Sequence, residues 1–144
     1  MTPAWARGGL VGRHSGPGGS VRVLVAARDV RVRRALSRLL ELDGGRIVGA
    51  TDALRLLPEM DARFGPDVVV LELDPREAPR DLRVVEELAR RGRAVIAVSS
   101  GSARCPDVLA AGAQACLDED VDFPDRLAQA VGAAAGQRSP APPA

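Results

Sequence analysis

The chain has 144 residues and a mass of 15.1 kDa, enough for one ordinary domain, and its 46% hydrophobic and 27% charged residues are typical of a globular protein. Twenty cationic residues against 19 acidic ones give a formal net charge of +1, which excludes a strongly basic nucleic-acid binder and a polyacidic tail. The cations are all arginine, which excludes lysine Schiff-base chemistry, and a single histidine excludes most histidine-based triads and metal sites.

Composition divides the chain into three parts. Residues 1–20 form a Gly/Pro-rich tail that we expect to be flexible, residues 21–136 form one domain, and residues 137–144 form a Pro-rich tail. In the first part His14 is expected to be inert, and Trp5 is a candidate anchor for a partner. Apolar stretches are too short to cross a bilayer and no targeting segment is visible, so we expect a cytoplasmic protein without membrane contact.

Five short apolar runs predict strands, and a helical pattern follows each of them. The predicted strands are residues 21–26, 47–50, 67–71, 94–98 and 115–117. Asp29 lies where it caps the first helix, and the apolar run at 67–71 is typical of a strand that is buried on both faces. A (βα) unit repeated five times predicts a parallel sheet with helices on both faces, that is, a doubly wound α/β fold. Functional residues in such folds lie at the carboxyl ends of the strands.

Three segments of this domain carry a resemblance to a known family. They are residues 21–26 together with Val32 and Arg33, residues 66–71, and residues 111–113. In order and spacing they resemble the receiver domains of bacterial response regulators, nearest to those that precede a helix-turn-helix output domain. The resemblance spans residues 21 to about 135. It implies a flavodoxin-like fold with strand order 2-1-3-4-5 and a role in two-component signal transduction.

The resemblance also implies where a phosphorylation pocket would lie, and this chain departs from that pocket. Receivers of this family carry two acids that hold Mg²⁺, an aspartate that accepts the phosphoryl group, a hydroxyl, an aromatic residue and a lysine. The matching positions are, in that order, Ala27 and Arg28, Glu72, Ser99, Cys116 and Glu119. Asp29 beside them is either a remaining metal ligand or the helix cap, and the cap is the favoured reading.

These departures predict that Mg²⁺ binding is lost and that Glu72 is not phosphorylated. An arginine in place of a ligand repels Mg²⁺, and without the metal and the lysine nothing neutralises the charge of a phosphoryl group in transfer. Because Arg28 and Glu119 exchange the signs of charge in the family pattern, we predict that Arg28 bridges Glu72 or Glu119. The alternative is that Arg28 points into solvent.

The predicted function is therefore non-enzymatic. We expect a stand-alone, receiver-like protein that signals through a protein partner or a homodimer, independently of Asp phosphorylation. The expected contact surface is built from the fourth helix, the fifth strand and the fifth helix, with the fourth helix shortened. Alternatives are a phosphoaccepting receiver of a phosphorelay that uses Glu72 or a neighbouring carboxylate, a regulator that has lost its output domain, or a small α/β enzyme or nucleotide-binding module. The sequence contains no glycine-rich phosphate loop at the strand ends, which argues against the enzyme and nucleotide-binding alternatives.

Two further groups of residues have ordinary interpretations. Cys105 and Cys116 do not form a C-x-x-C motif, so we expect small packing residues rather than redox sensors. Four arginines of the first helix suit a solvated helix face better than a site for DNA or an acidic partner, so we expect no direct nucleic-acid contact. These arginines are Arg31, Arg33, Arg34 and Arg38.

Overall fold

The computed structural model describes residues 20–99 and 104–137, and the two predicted tails, with Trp5 and His14, lie outside this range. Strands and helices alternate through the described residues. The strands are β1 (Arg22–Ala26), β2 (Arg46–Thr51), β3 (Val68–Glu72), β4 (Ala94–Ser99) and β5 (Ala115–Asp118). The helices are α1 (Val30–Leu42), α2 (Leu57–Phe64), α3 (Ala78–Arg90), α4 (Cys105–Ala110) and α5 (Phe123–Gln137). All neighbouring strands are parallel, in the order β2-β1-β3-β4-β5, which confirms the predicted fold class.

Side chains of the central strands alternate between two apolar layers. Val23 and Val25 of β1 point to the layer that α1 and α5 cover, whereas Leu24 and Ala26 point to the layer that α2, α3 and α4 cover. Every residue of β4 is buried, which agrees with the sequence pattern of a strand covered on both faces. Within residues 20–99 and 104–137, none of the helices combines the length and apolar character needed to cross a membrane.

Local signals set the ends of the helices. The Asp29 carboxylate accepts a hydrogen bond from the backbone N–H of Arg31 at 2.8 Å, which confirms the predicted N-cap of α1. A helical pattern is predicted after β2. The structure divides it into a 3-10 turn, Leu54–Leu56, and helix α2. The division falls there because Pro58 has no N–H to donate and so fits the first turn of α2 but not its interior.

The pairing of β1 with β2 contains an irregularity. Val23 pairs with Ile47, but the next residue, Leu24, pairs with Gly49, so the register shifts by one residue at Val48. Gly49 is a tight position, since a Cβ there would lie 3.0 Å from Cδ1 of Leu24. The edge strand β2 is therefore not a regular ladder along its whole length.

The turn between α4 and β5 lies directly on α3. Gly112 has a φ of +115°, and a Cβ at this position would lie 2.5 Å from Cβ of Ala89. Ala113 N–H donates to Val108 O at 3.2 Å, which ends α4, and Gln114 N–H donates to Val95 O at 2.8 Å, which starts β5. A residue without a side chain is needed for this approach.

A nearly buried ion pair joins α2 to the turn before β4. Asp61 of α2 is 3% exposed, and its carboxylate accepts a hydrogen bond from Nε of Arg93, whose side chain is 16% exposed. Arg91 lies farther away, with Nη1 3.8 Å from the same carboxylate, and donates to the carbonyl of Pro58. This contact is remote from the carboxyl ends of the strands and has a structural role.

Candidate functional site

The predicted site residues lie where β1, β3, β4 and β5 end. Ala27 follows β1 and is fully buried, Glu72 is the last residue of β3, Ser99 is the buried last residue of β4, and Glu119 follows β5. Both backbone polar groups of Ala27 form hydrogen bonds. Its N–H donates to Thr51 O at 3.1 Å, and its carbonyl accepts from Nη1 of Arg33 at 2.8 Å. Ala27 therefore supplies only a methyl group to this edge of the sheet.

The carboxyl groups of Glu72 and Glu119 face each other at the carboxyl ends of the strands. The Glu72 carboxyl is half-buried, and burial is the main cause that raises its pKa from an ordinary value of 4.5 to about 7. The negative charge of Glu119 and a hydrogen bond from protonated Glu72 to Glu119 raise the pKa of Glu72 further. Near pH 7 the Glu72 carboxyl is therefore present in both its protonated and its ionised form.

Two ionised carboxylates flank this pair. Asp29, at the start of α1, has its pKa lowered mainly by the backbone N–H of Arg31, and Asp74 has its pKa lowered mainly by the backbone N–H of Arg76. Both negative charges raise the pKa of Glu72. The position that corresponds to a phosphoacceptor is thus surrounded by negative charge.

The predicted bridge from Arg28 to Glu72 or Glu119 is wrong. The Arg28 guanidinium instead binds the carboxylate of Asp81 in α3 with two hydrogen bonds, from Nη2 to Oδ1 at 2.9 Å and from Nη1 to Oδ2 at 3.1 Å. The Arg28 side chain is 34% exposed and the Asp81 side chain is 1% exposed. Since the buried carboxylate has the stronger need for a partner, Arg28 turns away from the half-exposed glutamates towards α3.

Asp81 is a residue of this region that the sequence analysis missed. Its Oδ2 also accepts a hydrogen bond from the backbone N–H of Asp74 at 3.1 Å, so one carboxylate ties the loops after β1 and β3 to the first turn of α3. A signal was present in the sequence. Asp81 shares the buried face of α3 with Val85 and Leu88, at positions i, i+4 and i+7, and an acid on an apolar face requires a partner.

The expectation that Cys105 and Cys116 are separate packing residues is also wrong. The two residues form a disulfide, with their Cα atoms 5.5 Å apart, that joins the first residue of α4 to β5. The position that carries an aromatic residue in the family pattern is therefore cross-linked in this chain. The pairing is possible because only a short turn separates α4 from the parallel strand that follows it.

Several carboxylates at this edge have partners. Asp29 and Asp74 accept backbone hydrogen bonds, and Glu72 binds Glu119. Among the residues described by the structure, no group of three or more His, Cys, Asp or Glu side chains is placed to hold a metal ion. Loss of Mg²⁺ binding at this edge stays a prediction.

A pH dependence follows from the raised pKa of Glu72. Because this pKa is higher in the folded protein than the ordinary value of 4.5, the folded chain holds more protons between about pH 4.5 and 7 and loses stability as the pH rises through about 7. We expect the free energy of unfolding to fall by about 1 kcal/mol between about pH 5 and pH 8, a value reduced because water reaches the group. Denaturant titrations at both pH values measure it.

Two variants test the assignment of this fall to Glu72. Glu72→Gln keeps a donor towards Glu119 but cannot ionise, so it should remove the fall in stability. Glu86→Gln changes an exposed glutamate of α3 in the same way and should leave the fall unchanged. Equal pH profiles for the native chain and Glu72→Gln would assign the effect to another group.

Comparison with known proteins gives a result at the level of structure. No protein-family model and no curated protein sequence matches the chain. Solved structures do match it. A LuxR-family two-component response regulator from Aurantimonas sp. SI85-9A1 has a TM-score of 0.73 at 22% identity, with 83% of this chain and 88% of that chain covered. The signal receiver domain of the response regulator NarL from Mycobacterium tuberculosis has a TM-score of 0.70 at 22% identity, with 83% and 99% covered.

A third matching structure comes from a complex of the proteins CheX and CheY. CheY from Borrelia burgdorferi, solved in a complex with CheX, BeF3 and Mg²⁺, has a TM-score of 0.67 at 17% identity, with 81% of this chain and 90% of that chain covered. The resemblance predicted from the sequence is thus confirmed for the fold. The chain has the flavodoxin-like fold of response-regulator receiver domains.

Proposed function

We propose that this chain is a receiver-like signalling protein that acts through contacts with another protein or a second copy of itself, without phosphorylation and without enzymatic activity. The observation that carries the proposal is the carboxyl pair formed by Glu72 and Glu119. Glu72 occupies the position of the acceptor aspartate in the family pattern, and Glu119 occupies the position of the lysine. A protonated carboxyl is a poor nucleophile, and a neighbouring carboxylate repels an incoming phosphoryl group.

The surroundings of the pair support this proposal. Among residues 20–99 and 104–137, no arginine forms an ion pair with Glu72. Arg28 is bound to Asp81, and Asp29 and Asp74 add negative charge near Glu72. Phosphoryl transfer depends almost entirely on positioning and on neutralisation of charge. The present arrangement supplies neither, and we infer that Mg²⁺ has no role here.

The surface proposed for the contacts is the α4–β5–α5 face, formed by Cys105–Ala110, Ala115–Asp118 and Phe123–Gln137. Two apolar side chains are exposed at or beside it, Leu109 of α4 at 47% and Val121 before α5 at 93%. Exposed apolar groups of this kind are common in contact surfaces. CheY, one of the structural neighbours, was solved together with a partner protein, which supports protein contacts as the output of this fold.

The first expected result concerns phosphorylation. Incubation of the native chain with acetyl phosphate and Mg²⁺ should add no phosphoryl mass, measured by intact-protein mass spectrometry beside a phosphorylatable receiver as positive control. Glu72→Asp shortens the carboxyl group but leaves Glu119 in place, so it should also remain unlabelled. Stoichiometric labelling of the native chain that Glu72→Ala abolishes would refute the proposal.

The second expected result concerns the contact surface. Leu109→Glu and Gln129→Arg, at exposed positions of α4 and α5, should weaken self-association or partner binding by about tenfold or more. Val30→Glu is the matched control, since Val30 lies in a groove with Ala50 of β2, at the edge of the sheet opposite β5, and is 44% exposed, close to the 47% of Leu109. Light scattering after size exclusion and titration against the isolated partner measure the effect. An unchanged affinity in both Leu109→Glu and Gln129→Arg would exclude this surface.

A further inference from the structure

Helix α4 depends on few contacts for its position. It has six residues, of which Val108 is the buried one, and Arg104 at its N-cap makes no side-chain capping hydrogen bond. A helix of this length is not stable alone in water, so its contacts with the rest of the protein must hold it in place. At its amino end the covalent contact is the disulfide from Cys105 to Cys116.

The two ends of α4 are attached by different means. The carboxyl end is held by the hydrogen bond from Ala113 N–H to Val108 O and by the close packing of Gly112 on Ala89. The amino end has the disulfide in place of a cap. Opening of the disulfide would therefore remove the covalent attachment of the amino end of α4 to β5 and leave the contacts of the carboxyl end in place.

The two cysteines of the disulfide are partly exposed to solvent. Cys105 and Cys116 are both half-buried, whereas Val108 between them is fully buried. Exchange requires access of a thiolate to one sulfur along the S–S axis, so partial exposure of the cysteines favours exchange without unfolding of the domain. The two cysteines also lie within one local unit of α4, turn and β5, so the core strands β1 and β3 are not affected by their separation.

We propose that Cys105 and Cys116 form a reversible thiol–disulfide site, with a low-molecular-weight thiol as reductant and its disulfide as oxidant. In the reducing direction a thiolate attacks one cysteine sulfur, the S–S bond breaks, and a mixed disulfide forms. A second thiolate attacks the small-molecule sulfur of the mixed disulfide and releases it as the oxidised dimer. Two electrons and two protons pass to the protein, which leaves two cysteine thiols. The oxidised chain has α4 fixed on β5, and the reduced chain has its amino end released.

This site lies within the α4–β5–α5 face, so its regulatory meaning rests on the function proposed above. Leu109, exposed on α4, lies one turn after Cys105, so release of the amino end changes its surroundings. The thiol state therefore sets the shape of the contact surface and does not involve Glu72.

The chemical step is tested on the native chain in glutathione buffers of increasing reduced fraction, followed by acid quench, alkylation and intact mass measurement. We expect two alkylated thiols to appear together, without singly alkylated protein at equilibrium, and to disappear when oxidised glutathione is restored. Cysteines that react only after denaturant is added would overturn the proposal.

The structural step is tested by hydrogen exchange of the same samples. Reduction should speed the exchange of the backbone amides of Leu109 and Ala110, whose i−4 acceptors Cys105 and Pro106 form the amino end of α4, by at least about tenfold and leave those of β1 and β3 unchanged. The double variant Cys105→Ser/Cys116→Ser should show the fast exchange in both buffers, whereas Ala110→Ser, at an exposed position of the same helix, should keep the redox response. Equal exchange in fully oxidised and fully reduced chains would overturn the proposal. Phosphoryl labelling does not involve either cysteine, so it reports failure of the proposed function separately.

Discussion

Replacing Asp61 with alanine should lower the free energy of unfolding by about 3–5 kcal/mol. Asp61 is 3% exposed and holds the guanidinium of Arg93, whose side chain is 16% exposed. Removal of the carboxylate leaves a nearly buried positive charge without its partner, and that desolvated charge is the source of the cost. Urea denaturation followed by circular dichroism gives the difference from the shift in midpoint at constant slope.

Two further variants separate the loss of the pair from other effects. Asp52→Ala removes an exposed aspartate and should change stability by less than about 0.5 kcal/mol. The double variant Asp61→Ala/Arg93→Ala should be less unstable than the sum of the two single variants, because the second change removes the unpaired charge. A loss below about 1 kcal/mol for Asp61→Ala would mean that water solvates Arg93 adequately.

Gly112→Ala should lower the free energy of unfolding by about 2–4 kcal/mol, from two causes. An alanine at the positive φ of +115° is strained by about 1–2 kcal/mol, and its Cβ would lie 2.5 Å from Cβ of Ala89, which adds an overpacking cost of about 1–3 kcal/mol. Thermal and urea unfolding measure the sum. The same substitution at Gly132, in α5 with no atom within 4 Å of the added Cβ, should instead stabilise the protein by up to about 1 kcal/mol.

A double-mutant cycle divides the cost at Gly112 between its two causes. In an Ala89→Gly background the steric contact is absent, so Gly112→Ala should retain only the strain of about 1–2 kcal/mol. An equal cost in both backgrounds would show that α3 moves aside to accept the extra methyl group.

The fold was predictable because several local signals agree. The run of three valines in β3 predicts a strand with both faces covered, and all three valines are buried in the structure. Asp29 specified the start of α1 through a hydrogen bond within three residues of itself. Pro58 lies in the first turn of α2, as the sequence allows, but the sequence does not distinguish the preceding 3-10 turn from the helix itself.

The candidate site was predictable in position but not in its contacts. The topology brings the residues after β1, β3 and β5 to one edge, and Glu72 and Glu119 do meet there. The direction of Arg28 was not predictable, because a long side chain reaches several acids and the choice depends on the burial of Asp81, which only the packing of α3 decides. The disulfide was missed because the distance between two cysteines depends on how α4 returns to β5.

The register shift between β1 and β2 limits how copies of this chain can assemble. An open sheet invites another chain to add a strand at its edge, and that route leads to filaments or precipitates rather than to closed dimers. At one edge, β2 carries the shift at Val48 and an exposed Arg46, so an incoming strand meets an irregular row of backbone groups and a charge. At the other edge, β5 has only four residues. Growth by sheet extension is therefore disfavoured at both ends, and concentrated solutions should remain free of fibrils.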